Sequence, residues 1–176
     1  SYISGTWTQV GSDIDGEAAG DYSGFSVSLS SDGSIVAIGA FGNDGNGLTS
    51  GHVRIYKNIS GTWTQVGSDI DGQASTDVSG FSVSLSSDGS TVAIGAYGNN
   101  GNGTDAGHVR IYKNISGTWT QVGSDINGEA AYDQSGLSVS LSSDGSTVAI
   151  GAILNAGNGT NAGHVRIYSY MSGICS

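Results

Sequence analysis

Residues 23–40 read SGFSVSLSSDGSIVAIGA, and this stretch decides the fold. Every second residue from Phe25 to Leu29 is apolar and serines lie between them, which predicts a strand with one apolar face. Asp32-Gly33 then predicts a hairpin turn, because glycine tolerates a positive φ. Residues 35–40 hold no polar side chain, so we expect a second strand that is covered on both faces.

The stretch recurs twice at a spacing of 56 residues, which makes the whole chain a repeat array. The repeats span about residues 4–59, 60–115 and 116–171, and residues 172–176 form a C-terminal tail. No linker or change of composition separates the copies. We therefore expect residues 1–176 to form a single repeat domain.

Each repeat contains four segments with β periodicity and none with a helical period. After the hairpin, residues 52–57 alternate again, and a short turn leads to Thr-Trp-Thr-Gln-Val at 62–66. Four antiparallel strands in 56 residues match the size of one β-propeller blade. The prediction is an all-β, β-propeller-type array of three four-stranded blades with the Trp strand outermost. Three blades are too few to close a ring, so the array is expected to be incomplete as a single chain.

Composition excludes several classes of function. The 5 basic residues are outnumbered by 15 acidic ones, so the basic face that nucleic-acid binding requires is missing. The apolar runs are far shorter than a membrane-spanning helix, and no membrane insertion is expected. Each candidate catalytic side chain is a repeat position rather than part of a catalytic arrangement, so we do not expect an enzyme.

The three copies carry a recognisable motif. Residues 23–27 (Ser-Gly-Phe-Ser-Val), 31–33 and 36–40 resemble the FG-GAP repeat, over about half of each unit. The resemblance implies an extracellular propeller that binds proteins or sugars, as in integrin α-subunits. The family's calcium loop carries acids where this chain has Ser28 and Ser30. That hairpin metal site is expected to be lost, and the remaining Asp-Gly pair serves the turn.

Acidic residues concentrate in the loops that the strand order places at one end of the blades. These loops hold 12 of the 15 acidic residues: Asp13, Asp15, Glu17, Asp21, Asp44, Asp69, Asp71, Asp77, Asp105, Asp125, Glu129 and Asp133. Loops on a rigid scaffold usually carry function, so we expect this acidic loop face to be the working surface. Acidic residues kept for solubility are the alternative explanation.

One motif on that face resembles a calcium loop. In it, oxygen ligands alternate around a glycine that permits a sharp turn. The residues concerned in the three repeats are Asp13, Asp15, Glu17 and Asp21; Asp69, Asp71 and Asp77; Asp125, Asn127, Glu129 and Asp133. Asp and Gly are also ordinary turn formers, so a metal-free turn is the alternative. No cofactor besides calcium is expected.

Other residues recur with the same period. The three histidines each open a Gly-His-Val-Arg strand and are expected to be hydrogen-bonded structural residues, while the three tryptophans are expected to anchor the outer strands. Sequons for N-glycosylation begin in predicted loops at Asn58, Asn102, Asn114 and Asn158. The single Cys175 predicts a free thiol or an intermolecular disulfide.

The order of strands along the chain predicts self-association. The chain opens on a Trp strand without its own blade and ends on a blade in which Cys175 takes the place of Trp. We expect head-to-tail homo-oligomers in which the N-terminal strand completes a neighbour's C-terminal blade. Two chains would make a closed ring of six blades, and a filament is the alternative.

The functional expectation follows from these observations together. It is a non-enzymatic scaffold, extracellular or at the cell surface, for adhesion or for recognition of a protein or glycan. A structural subunit of a fibre or surface coat is one alternative. A carbohydrate-binding β-prism, which is also built from three four-stranded sheets, is the other.

Overall fold

The computed structural model describes residues 5–171, and every helix or strand element within them is a β-strand. The all-β prediction is therefore confirmed, and this part of the chain contains no helix that could cross a membrane. The strands are Ser26–Leu29 (β1), Ile35–Ala40 (β2), His52–Ile59 (β3), Thr62–Gln65 (β4), Ile70–Asp71 (β5), Ser82–Leu85 (β6), Thr91–Ala96 (β7), His108–Ile115 (β8), Thr118–Gln121 (β9), Ile126–Asn127 (β10), Ser135–Leu141 (β11), Thr147–Ala152 (β12) and His164–Ser169 (β13).

The strands form three antiparallel sheets with one internal order. In the first sheet, β1, β2 and β3 are neighbours, β4 pairs with the C-terminal half of β3, and β5 pairs with its first two residues. The second sheet repeats this order with β6 to β10, and the third contains β11, β12 and β13. The outer position is thus shared by two short strands, and the second of them was not predicted.

The hairpin from β3 to β4 turns on Ser60 and Gly61. Both have positive φ, 52° and 90°, as a two-residue turn between right-twisted strands requires. β3 therefore continues to Ile59, and Asn58 lies in a strand. Asn114 lies in β8 in the same way, so the prediction that both asparagines are in loops was wrong.

Successive sheets pack face to face, and the buried side chains between them are aliphatic or aromatic. The core between the first two sheets consists of Ala37, Val53, Ile55, Ile70, Leu85, Val92, Ile94 and Tyr112. The core between the second and third consists of Ala93, Val109, Val148 and Ile150. Full burial of one Val, Leu or Ile side chain stabilises a fold by about 1.5–3 kcal/mol, so these two layers hold the array together.

Glycine allows the first two sheets to approach closely. A Cβ on Gly39 would overlap the carbonyl oxygen of Gly80, which lies just before β6 of the neighbouring sheet. Ser26 Oγ donates a hydrogen bond to that same carbonyl at 2.7 Å. The contact recurs one repeat later between Gly95 and Gly136, so the sheets meet in the same register at both interfaces.

The tryptophans behave differently from one another. Trp63 and Trp119 each donate their indole N–H to a backbone carbonyl of the preceding repeat at 2.8 Å, which confirms their anchoring role. Trp7 is fully exposed, and residues 5–10 form no strand. The predicted strand at Trp7 is therefore absent, because a strand needs a hydrogen-bonding neighbour and the described residues offer it none.

Candidate functional site on the acidic loop face

Two kinds of loop carry the acidic residues, and they are hydrogen-bonded to each other at one end of the sheets. Thr76 N donates to Leu48 O at 2.8 Å, and Val78 N donates to Thr49 O at 3.1 Å. The loop between the second and third strands of one repeat is thus bound to the loop that enters the next repeat. The corresponding bonds recur in the following repeat. Both loops share one face, as the strand order predicted, and backbone hydrogen bonds hold them there.

A buried aspartate stabilises each of these loop pairs. Asp77 is 1% exposed; its Oδ2 accepts bonds from two backbone N–H groups of its own loop at 3.0 Å, and its Oδ1 accepts one from Asn99 Nδ2 at 3.1 Å. Asp21 and Asp133 each accept one backbone N–H of their own loop and one asparagine amide, both on Oδ2. Three of the predicted calcium ligands therefore act as acceptors for groups of the fold itself.

The other predicted calcium ligands are exposed or half-exposed. Asp13 accepts a hydrogen bond from Gln9 Nε2 at 2.8 Å. Asp15 and Asp71 are exposed to solvent. Within residues 5–171, the acids of one loop do not converge on a common point. Calcium binding by these loops stays a prediction.

One group of ionisable side chains does converge, and it joins two repeats. His52 opens β3, and its Nδ1 lies 3.8 Å from Asp69 Oδ2 and 3.9 Å from Glu17 Oε2. Arg54, two residues along the same strand, lies 3.5 Å from Glu17 Oε1. Asp69 directly precedes β5, and the pairing of β5 with β3 brings it beside His52. The sequence did not predict this group, because its residues come from two different repeats and are far apart along the chain.

In the second repeat, a glutamine amide takes the place of the Glu17 carboxylate. Gln73 occupies the position of Glu17, and its Nε2 donates to Asp125 Oδ2 at 2.8 Å. His108 Nδ1 lies 3.7 Å from that oxygen, and burial lowers the pKa of His108. Burial opposes ionisation of Asp125, but hydrogen bonds from Gln121 and Gln73 outweigh it and the pKa is lowered.

The histidines depart from the expectation of hydrogen-bonded structural residues. His52 and His108 are buried, at 1% and 0% exposure. Within the described chain, Nε2 of each histidine has no hydrogen-bond partner, and neither has Nδ1 of His108. In the third repeat, His164 Nδ1 lies 3.6 Å from Glu129 Oε2, and Arg166 lies 3.7 Å from the other oxygen.

The acids at the opposite end of the sheets are turn residues. Asp32 accepts bonds from Ser34 N at 2.9 Å and Ser30 Oγ at 2.7 Å, and these bonds lower the pKa of Asp32 to about 2. Bonds from Ser142 and Ser146 lower the pKa of Asp144 to about 2 as well. The Asp-Gly pair thus stabilises the hairpin turn through its carboxylate.

The sequons occupy unlike positions. Asn158 lies in an exposed turn, whereas Asn102 Nδ2 donates to a backbone carbonyl of the next repeat at 2.7 Å. Asn58 and Asn114 accept bonds from the N–H groups of their own hairpin turns. Glycosylation stays a prediction, and Cys175 lies outside the described residues.

Two solved structures are similar to the chain. The chain is similar to PpgL, the periplasmic gluconolactonase of Pseudomonas aeruginosa, with 19% identity and a TM-score of 0.51 over 82% of this chain and 39% of that one. It is also similar to the hydrazine synthase of Kuenenia stuttgartiensis, with 14% identity and a TM-score of 0.46 over 72% of this chain and 29% of that one. The chain thus spans less than half the length of either protein, and the likeness to PpgL is one of fold.

Comparison of sequences points to one family. No curated protein sequence matches the chain. The FG-GAP repeat model matches residues 7–56 and 126–168, which include the alternating strand and the Asp-Gly turn of the first and third copies. Since these matches cover more than half of the residues, the chain belongs to the FG-GAP repeat family.

Proposed function

We propose that the chain is a non-enzymatic, extracellular recognition module that binds a basic protein partner through its acidic loop face. Its three sheets are blades of a β-propeller-type array. Membership of the FG-GAP repeat family, the stacking of sheets at a fixed period and the likeness of fold to PpgL support this architecture. The side chains that the repeats bring together mostly bind backbone groups of a neighbouring repeat, which favours a scaffold over a catalyst.

The observation that carries the proposal is a rigid loop surface with little compensating positive charge. Arg54, Arg110 and Arg166 each donate to a backbone carbonyl on the loop side at 2.6–2.7 Å. Lys57 and Lys113 lie on the half of their strands that is nearer the opposite hairpins. A surface that is held by hydrogen bonds and carries an excess of negative charge attracts partners of the opposite sign.

Two charges on this face can be removed without disturbing the fold. Asp44 and Asp71 correspond to Asn100 and Asn127 of the second and third repeats. Asp44 Oδ1 accepts the N–H of Thr49 at 2.6 Å, and Asn100 Oδ1 makes the corresponding bond at 2.8 Å. The double variant Asp44→Asn, Asp71→Asn therefore keeps the loop structure and reduces the negative charge.

The test measures binding of poly-L-lysine at low salt. With about 0.2–1 kcal/mol per exposed charge pair, the double variant should bind about two- to thirtyfold more weakly. The control, Thr62→Lys with Thr118→Lys, makes the same change of net charge at exposed sites on the opposite end and should bind within about twofold of the wild type. Equal effects of the two double variants would contradict a role for the loop face.

A second candidate function is self-assembly into a ring or fibre, and a groove favours it. Between the first two sheets, Trp119 donates to Val66 O at 2.8 Å. At the corresponding place between the second and third sheets lies a groove of about 330 Å³, lined by Val122 and Ile126 among others. Trp7 is fully exposed. We propose that Trp7 of a second copy fills this groove and donates to Val122 O.

The outer faces of the first and third sheets both expose apolar side chains that are covered in the other repeats. Val27 is 63% exposed on the first sheet, whereas its counterpart Val83 is packed against the core of the sheet pair. On the third sheet, Ile167 is 69% exposed, whereas its counterpart Ile111 is packed against the next sheet. Each outer face carries the residues that a further copy of the repeat would cover, and a second copy of the chain therefore fits.

The test of self-assembly is the mass of the intact chain by sedimentation. A closed pair should have twice the monomer mass, and Trp7→Ala should shift the chain to the monomer. Leu48→Ala, which removes an exposed apolar side chain from the loop face, should leave the mass unchanged. A monomer at tens of micromolar intact chain would refute self-assembly without affecting the recognition proposal.

A further inference from the structure

We propose that Glu17, His52 and Asp69 form a binding site for Zn²⁺ or a similar divalent transition metal. Each residue offers one ligand atom, and the three atoms lie within 4.8 Å of one another. The site joins the first two repeats: it takes one acid from each of two predicted calcium loops and adds a histidine that neither loop contains. It does not depend on the proposed recognition function.

The two carboxylates are oriented so that each presents one oxygen to the histidine. Asp69 Oδ1 accepts a bond from Gln65 Nε2 at 2.6 Å, and Glu17 Oε1 lies 3.5 Å from the guanidinium of Arg54. The remaining oxygens, Asp69 Oδ2 and Glu17 Oε2, face His52 Nδ1. Partners that bind the non-coordinating atom of a ligand are typical of metal sites, because they hold the ligand in place.

His52 supplies an independent indication of a ligand. Its side chain is 2% exposed, and its Nδ1 comes no closer than 3.8 Å to either carboxylate. Buried polar atoms are almost always paired, so a buried nitrogen aimed between two carboxylate oxygens is in the position of a metal ligand.

The ligand set selects the class of metal. One imidazole nitrogen and two carboxylate oxygens suit Zn²⁺, Ni²⁺ or Cu²⁺, whereas Ca²⁺ requires six to eight oxygen ligands. Zinc bonds of about 2.1 Å in a tetrahedron place ligand atoms about 3.4 Å apart. The 3.8 and 3.9 Å from His52 Nδ1 to the two carboxylate oxygens therefore need to shorten by a few tenths of an ångström, and the two oxygens, which lie within 4.8 Å of each other, would close towards the same separation. A water molecule or a partner's side chain would take the fourth position.

The second repeat provides an internal comparison. Gln73 replaces Glu17 there, and its amide N–H group binds the Asp125 oxygen that would otherwise face the metal. An amide N–H cannot act as a ligand and occupies the position that the ion needs. The site of the second repeat is therefore closed, and a single substitution should open it.

The experiment is a calorimetric titration of the intact chain with Zn²⁺, and with Ca²⁺ in a parallel series. Glu17→Gln and Asp69→Asn should each abolish one Zn²⁺ site per chain or weaken it by about tenfold or more. The matched control Asp125→Asn changes the corresponding residue of the closed site and should bind like the wild type. Far-ultraviolet circular dichroism without metal confirms that each variant is folded.

A gain of binding makes the test independent of any damage to the fold. Gln73→Glu should supply a third ligand beside His108 and Asp125 and add one Zn²⁺ per chain. Absence of Zn²⁺ binding by the wild type would overturn the proposal. So would binding that Glu17→Gln and Asp69→Asn leave unchanged, or a Ca²⁺ affinity above that for Zn²⁺ at this site.

Discussion

Replacing Gly95 by alanine is expected to weaken the contact between the second and third sheets. Gly95 lies in β7, and an added Cβ would overlap the carbonyl oxygen of Gly136. This oxygen belongs to the backbone and cannot rotate away. Ser82 Oγ donates to the same carbonyl at 2.8 Å, so any separation of the sheets that relieves the overlap also breaks this bond.

The magnitude follows from these two effects. Overpacking of a tight contact costs about 1–3 kcal/mol. Loss of a typical hydrogen bond adds about 0.5–1.5 kcal/mol. We therefore expect the free energy of unfolding to fall by about 2–4 kcal/mol. For a chain of this length the melting temperature should fall by about 4–16 °C.

Urea unfolding followed by tryptophan fluorescence measures the loss, and Gly151→Ala is the matched control. Gly151 is the corresponding glycine of the third sheet, where the atoms nearest to an added Cβ belong mainly to the Ser138 side chain. That side chain can rotate, so the control should lose less than about 1 kcal/mol. A Gly95→Ala variant as stable as the wild type, or equal losses in the two variants, would refute the argument.

Three further predictions concern single side chains. The folded state lowers the pKa of Asp32 from 3.8 to about 2. The ionised Asp32 therefore stabilises the fold above pH 3.8, and this stabilisation is lost as the pH falls towards about 2. The difference in melting temperature between the wild type and Asp32→Asn should shrink over this range. Asp77→Ala leaves the Asn99 amide and two backbone N–H groups unpaired. Chemical denaturation should show that the free energy of unfolding falls by about 3–5 kcal/mol. A fall of less than about 1 kcal/mol would contradict the role of these buried hydrogen bonds. Trp119→Phe removes one indole hydrogen bond and should cost about 0.5–1.5 kcal/mol by thermal unfolding, whereas Trp7→Phe should leave the stability of the monomer unchanged.

Local patterns in the sequence were sufficient to predict the four longer strands of a repeat and the face on which most of the acids lie. Alternation at residues 25–29 and the apolar run at 35–40 predict β1 and β2, because a strand exposes alternate side chains on opposite faces. The loop face could be inferred from strand order alone, since successive antiparallel strands return their connections to alternate ends. The role of Asp32 in its turn was also predictable, because the hydrogen bonds that define it span only two residues.

Contacts between repeats could not be predicted in this way, because they depend on how the sheets stack. The sequence presents Asp21, Asp77 and Asp133 as loop acids, but burial and an asparagine 22 residues away make them structural acceptors. The short strand β5 shows no pattern of its own and is stabilised by its pairing with β3.

The sequence by itself determined the repeat, the strand order and the acidic end of the array, because these depend on spacing within one copy. Tertiary structure alone decided which side chains meet. Glu17, His52 and Asp69 come from a loop, a strand and the loop of the next repeat; the pairing of β5 with β3 brings Asp69 beside His52, and Glu17 meets them beside Arg54. Similarly, of three tryptophans at one repeat position Trp7 is exposed and Trp63 and Trp119 are half-buried, because only the latter two have a preceding segment of the chain to pack against and bind.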